Sequence, residues 1–263
     1  MHNVKPFSIA IIFILSLGLS AYADTSAKDE IKYRASRKKM VEEAIVGYGT
    51  FEAKIIQAFL QVPRHEFVLP QAIEQAYDDK ALPIGNNQKM GRPYEVARMT
   101  QLLGLKGGEK ILELGTGSGY HTAILSHLCA DVYTVDIQED MLKNAELRLT
   151  RLGYKNIHFK SGEGTLGWPE AAPFDAIIVS FAADNSMIEE LAKQLREGGR
   201  MVIPVNAGDG TQQLKLVIKT DNKVQVKNIF KVNFIAMIKT NAPQTAPITT
   251  PSNSAPSSEN ATK

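Results

Sequence analysis

An apolar run that ends in an acid and then breaks into three glycines at alternate positions, Lys110-Ile-Leu-Glu-Leu-Gly-Thr-Gly-Ser-Gly-Tyr120, opens a stretch in which strand and helix patterns alternate as far as Val205. The pattern predicts strands over 110–114, 131–137, 157–160, 174–181 and 200–205, with helices over 121–127, 139–152 and 186–195 between them. Continuous apolar runs such as Ala176-Ile-Ile-Val179 suit strands covered on both faces. Alternation of this kind specifies a doubly wound, Rossmann-like α/β fold with a mainly parallel sheet. Gly198-Gly199 reads as the C-terminal cap of the last helix. Apolar runs over 214–219 and 223–229 flank Thr220-Asp-Asn222, which predicts an antiparallel hairpin at one edge of the sheet.

Upstream, residues 29–62 carry helical spacing divided by Gly47 and Gly49, and Pro63 limits the second helix. The turn-rich segment 82–94 is expected to be an ordered loop, followed by a helix to Leu103. Both ends differ from this body. His2 and Lys5 precede an apolar run over 6–19, and then Ser20-Ala-Tyr-Ala23 places small residues where a signal peptidase reads. The run is shorter than the roughly 20 residues of a membrane span. Residues 1–23 are therefore expected to be a signal peptide on an exported chain, periplasmic or secreted, membrane-bound only if the segment stays uncleaved. Residues 241–263, rich in Pro, Ser and Thr, lack the apolar surface that ordering needs and are expected to be a disordered tail. That leaves 24–240 as the folded domain.

Three absences bound the chemistry. The formal charge of +2 has no basic cluster interleaved with aromatics, so nucleic acid is not an expected partner. Cys129 is the only cysteine, which excludes an intrachain disulfide, and it reads as a core filler. His121 and His127 lie six apart on one helix and do not share a face, so no metal is expected.

In an open α/β sheet, ligands bind beyond the carboxyl ends of the strands, where strand order reverses. Gly115, Gly117 and Gly119 let the chain turn there and let a ligand approach the backbone. Asp136, closing the next strand, can accept hydrogen bonds from both hydroxyls of a ribose. A dinucleotide site wants its third glycine one residue later, where Tyr120 stands. The spacing Glu113-x-Gly115-x-Gly117-x-Gly119 suits S-adenosylmethionine, which has no phosphate, better than a dinucleotide.

At these residues the chain resembles the protein-L-isoaspartate O-methyltransferases, in VPRHEFV (62–68), AYDDKALPIG (76–85), ILELGTGSGY (111–120), VYTVDI (132–137), RLGYKNI (151–157), GEGTLGWPEAAPFDAIIV (162–179) and LREGGRMVIPV (195–205). The glycine motif is shared by many methyltransferases, whereas VPRHEF and GWPE are more particular to this family. The resemblance implies a methyltransferase domain that uses S-adenosylmethionine to methylate the stray carboxylate of isoaspartyl residues in damaged proteins or peptides. The ester can then collapse to a succinimide that reopens partly to normal aspartate. It also implies a cofactor site of Glu113, Gly115, Thr116, Gly117, Gly119, Asp136, Ile137, Gly162 and Glu163, with Glu163 in place of the family's usual aspartate beside adenine. Gln212 matches a family glutamine near the substrate end.

For the substrate, the resemblance implies Asn87, Gln88, Gly91 and Arg92, with no assigned catalytic residue. The family's loop here normally contains Q-T-I-S-Q-P, whose serine sits at the reacting centre; this chain has Gln88-Lys-Met-Gly-Arg-Pro93, so Lys89 and Gly91 replace threonine and serine. An isoaspartyl carboxylate is already ionised near neutral pH and needs no general base. The task is alignment, in which orientation can supply roughly 7–11 kcal/mol at best, and Arg92 or Lys89 can hold the carboxylate as charged donors. The chain is accordingly expected to be a monomeric, exported repair enzyme. The alternative is a non-catalytic exported binding protein that keeps the fold without efficient turnover.

Overall fold

The computed structural model describes residues 29–49 and 51–237; the expected signal peptide and tail lie outside the described residues. Seven strands form one sheet in the order β5-β4-β3-β6-β7-β8-β9, where β3 is Lys110–Leu114, β4 Asp131–Asp136, β5 Ile157–Ser161, β6 Phe174–Val179, β7 Leu195–Asn206, β8 Gln212–Thr220 and β9 Lys223–Val232. The first five pair in parallel, and β7-β8-β9 is an antiparallel meander. The chain steps outward from β3 to β4 and β5, then returns to lay β6 on the other side of β3. Strand order therefore reverses at β3, just ahead of the glycines.

Alternation along the central strand separates two apolar layers. Ile111 points into a core shared with Ala123 and Ile124 of α4 (Tyr120–Ser126) and Leu149 of α5 (Glu139–Arg151). Leu112 and Leu114 point into the opposite core, with Met187 and Leu191 of α6 (Ser186–Ala192). The first core also takes in Phe59 of α2 (Ala53–Gln61), Met99 of α3 (Pro93–Leu103) and Met40, which ends the helix α1 over 29–40. A π-turn at Val41–Ile45 and a 3-10 turn at Val46–Tyr48 separate α1 from α2, where the two glycines suggested a break.

Two expectations need correction. Gly198 and Gly199 cap no helix, because α6 ends at Ala192 and both lie inside β7. Pairing jumps from Phe174–Leu195 to Ala176–Arg200, and a Cβ on Gly199 would meet the carbonyl oxygen of Arg196 at 2.8 Å; the glycine admits a bulge. The expected loop 82–94 contains a small antiparallel sheet, β1 (Leu82–Gly85) with β2 (Gln88–Met90). Asn86 and Asn87 both have positive φ, 49° and 56°, the two-residue turn that suits strand twist.

Candidate active site

The floor of the site is the β3–α4 turn. Gly115 and Gly117 have φ of 94° and 53°, and a Cβ at Gly115 would stand 3.3 Å from the Phe181 ring while one at Gly117 would stand 3.2 Å from Ile84. Both therefore need glycine for conformation and for space. Asp136, only 8% exposed, receives the N–H of Gly117 on one carboxylate oxygen at 2.8 Å and the N–H of Gln138 on the other at 2.9 Å. Burial pushes its carboxyl above the usual range, while these backbone donors pull it down. Each oxygen keeps lone-pair capacity for a further donor.

Beneath the turn, Glu113 is fully buried and accepts the hydroxyls of Thr122 at 2.6 Å and Thr134 at 2.8 Å on Oε2, while Thr134 also meets Thr116 at 2.6 Å. Burial pushes its carboxyl up to about 7. Period-two alternation puts Glu113 on the α4 side of the sheet, so it braces the turn and does not reach the cavity.

Above the floor lies a cavity of about 470 Å³, within the usual range for small-ligand sites. Among the expected cofactor positions, Gly115, Thr116, Gly117, Asp136, Ile137 and Glu163 line it. Gln88 and Gly91 of the expected substrate positions line the far side. The remaining five do not. Glu113 braces the turn as described. A Cβ on Gly119 would stand 2.9 Å from Leu149, so that glycine allows α5 to pack. Gly162 is spent continuing the ladder, its N–H on the carbonyl of Asp136 at 3.0 Å. Asn87 is spent on the left-handed turn. Arg92 is turned to Asp79, with Nε 3.2 Å from Oδ1 and Nη2 on Oδ2.

The hairpin that forms the far wall is held from below by Arg64. This guanidinium has no exposed surface; Nε donates to the carbonyl of Ala76 and Nη2 to that of Gly91, both at 2.9 Å, and its Cζ sits 4.6 Å from the centroid of the Tyr120 ring. One side chain thus ties the wall to the first residue of α4. Sequence reasoning gave Arg64 no role, although a cation between Val62 and Phe67 is a visible signal.

A third wall was also missed. Residues 233–237 line the cavity, held by Gln212, whose amide donates to the carbonyl of Phe234 at 2.9 Å and accepts its N–H at 2.6 Å. The N–H of Ala182 meets the carbonyl of Ile235 at 2.9 Å, joining this wall to the end of β6. Gln212 thus positions the wall and does not line it. Asp184, Glu95 and His121 line the cavity as well. Burial raises Glu95 and lowers His121 to about 3, so His121, which contacts Thr100 at 2.9 Å, is neutral near pH 7. Ser180 Oγ, also at the wall, is buried with no hydrogen-bond partner among the described residues, as a group awaiting a ligand would be.

A family model described as protein-L-isoaspartate (D-aspartate) O-methyltransferase matches residues 35–242. A protein-L-isoaspartate O-methyltransferase of Opitutus terrae is 40% identical over 227 residues, covering 86% of this chain and 94% of that protein. One of Dictyoglomus thermophilum is 44% identical over 209 residues, covering 80% and 94%. Among solved structures, a protein-L-isoaspartate O-methyltransferase superposes with a TM-score of 0.69 at 27% identity, covering 78% of this chain and 66% of that one. A beta-aspartate methyltransferase from Plasmodium falciparum, in complex with S-adenosyl-L-homocysteine, superposes at 0.64 with 20% identity over 78% of this chain and 98% of that one, a likeness of fold.

Proposed function

The chain belongs to the protein-L-isoaspartate O-methyltransferase family, S-adenosylmethionine-dependent enzymes, and from that premise we propose an exported repair enzyme whose acceptor carboxylate enters beneath the β1–β2 hairpin. Bound S-adenosylmethionine supplies an electrophilic methyl group. The residues present suit it: Asp136 has acceptor capacity for ribose hydroxyls, Gly115 and Gly117 leave the space a side chain would fill, and Ser180 offers a free hydroxyl. Glu163 lines the same cavity, and its carboxylate is an acceptor for an exocyclic amine. Because the acceptor is already an anion, this chain's residues need only hold it in line and keep water out. Ile84, Met99 and Phe181 supply apolar walls for that purpose.

The observation that carries this reading is one cavity with the Asp136 floor on one side and the hairpin edge on the other. The test is methyl transfer to an isoaspartyl peptide, with methanol release, by protein beginning at Asp24. Transfer to the isoaspartyl peptide and none to its normal aspartyl twin is the expected result; equal transfer to both removes the substrate assignment. Gly91 favours a second reading, because no hydroxyl stands at that edge: tight donor binding with no transfer identifies a binding protein. Export rests on the charged start, apolar run and small residues over 2–23. Cell fractionation with N-terminal sequencing is expected to find a chain that begins near Asp24 outside the cytoplasm; an uncut cytoplasmic chain ends that proposal.

A further inference from the structure

An acceptor anion must be held beside a cationic methyl donor, yet the carboxylates at the cavity outnumber the Lys and Arg side chains there. Glu95, Asp136, Glu163 and Asp184 all face it, and Lys89 is the one lysine or arginine among its described lining residues. Lys89 lies mid-strand in β2, paired with Pro83, on the wall opposite Asp136. It is exposed, and among the described residues it makes no ion pair or side-chain hydrogen bond. The nearby arginines are committed: Arg92 to Asp79, and Arg64 to the carbonyls of Ala76 and Gly91.

Resting on the methyltransferase reading, we propose that Lys89 holds the acceptor carboxylate by charge and makes the site selective for an ionised acceptor over its neutral counterparts. The flexible four-carbon stem and compact ammonium suit a monodentate grip on one oxygen, leaving the other for the reaction. In the transfer, the free oxygen forms a bond to the methyl carbon and the sulfur–methyl bond breaks with its electron pair left on sulfur. The sulfonium becomes a neutral thioether and the carboxylate a neutral ester. Lys89 therefore loses its counter-ion on turnover, and the same contact that recruits substrate does not retain product.

The test is binding of an isoaspartyl peptide and its β-linked carboxamide twin, measured by calorimetry in the presence of S-adenosylhomocysteine, beside steady-state kinetics. Wild-type protein should prefer the carboxylate by on the order of 10-fold or more, and the preference should shrink with added salt. Lys89→Met keeps the stem and removes the charge; its preference should fall to within about twofold, with a matching rise in KM and a smaller change in kcat. Lys89→Arg should keep the preference, and donor affinity should be the same in all three. A Lys89→Met protein with undiminished preference and unchanged KM overturns the assignment while wild-type turnover leaves the functional reading standing. Wild-type protein that neither methylates nor binds the isoaspartyl peptide overturns both.

Discussion

The two sides of the cavity are built by opposite means. The floor, residues 110–136, is assembled from one β-α-β unit: the N–H of Gly115 is fixed by the carbonyl of Val135 at 2.8 Å, extending the β3–β4 ladder, and that of Gly117 by the Asp136 carboxylate at 2.8 Å. The hairpin wall, β1–β2, has a short pairing of its own, buries Leu82 and Met90 in the first core, and leans on Arg64, a residue 27 positions before Gly91. Hydrogen bonding on the floor is thus distributed over a large sheet, whereas the wall has a three-residue strand pairing and the bonds of one buried cation. On the proposed reading, the cofactor that every turnover requires is held by the distributed side, and the variable peptide meets the other.

The most damaging way to break this contrast is Arg64→Met. The carbonyls of Ala76, Lys80 and Gly91 lose a charged donor, and a stability loss on the order of 4 kcal/mol is expected by urea unfolding. The milder Arg64→Lys keeps charge without the fork; peptide KM should rise several-fold while affinity for S-adenosylhomocysteine holds. Equal loss of both affinities shows that wall and floor are one unit. Next in size is Asp136→Ala. Losing the acceptor for two hydroxyls should weaken S-adenosylhomocysteine at least 100-fold, about 3 kcal/mol. Asp136→Asn, which retains an acceptor, should lie between, and in both variants peptide affinity measured without donor should be unchanged.

The same contrast governs what the sequence revealed. The floor was legible because its parts are close in the chain: a strand, alternate glycines and an acid closing the next strand. Even there Glu113 was placed at the ligand. An acid next to the glycines invites that reading, and only the face it shares with Ile111, opposite Thr122, shows it to be a brace. The wall was harder. Gly85-Asn-Asn-Gln88 carries the signal of a tight turn, but where that turn sits depends on Arg64 and on tertiary packing. Residues 233–237 gave no local signal, since they reach the cavity only through Gln212 and the end of β6. Arg92 was misplaced because Asp79 competes for it, a pairing that sequence distance does not disclose.

A smaller effect separates the floor's support from its ligand face. Glu113 rises from 4.5 to about 7 on burial, so the folded state keeps a proton that the unfolded state has released. Its contribution to stability is full below about 4.5 and is lost as pH climbs towards about 7, by up to about 1.4 kcal/mol per unit. Glu113→Gln removes this term. Unfolding curves at pH 5 and pH 7.5 should show the variant gaining on wild type by about 2 kcal/mol across the interval. Parallel curves would mean that Glu113 is ionised in the folded protein.

The gentlest change is Gly91→Ser, on the wall. Gly91 has no left-handed φ to protect, and an added Cβ meets only the Val96 side chain at 3.3 Å, so the substitution needs a shift of a few tenths of an ångström. At a residue that lines the cavity, the new hydroxyl can offer one neutral hydrogen bond to the acceptor. A gain of about 1 kcal/mol, or roughly fivefold in kcat/KM, is expected with donor affinity unchanged. Placing the serine in the Lys89→Met background sharpens the comparison further. Two groups that touch the same carboxylate are coupled, so the double variant should recover more activity than the separate effects predict. Simple additivity would place the two contacts on different parts of the peptide and would confine the charged grip to Lys89 alone.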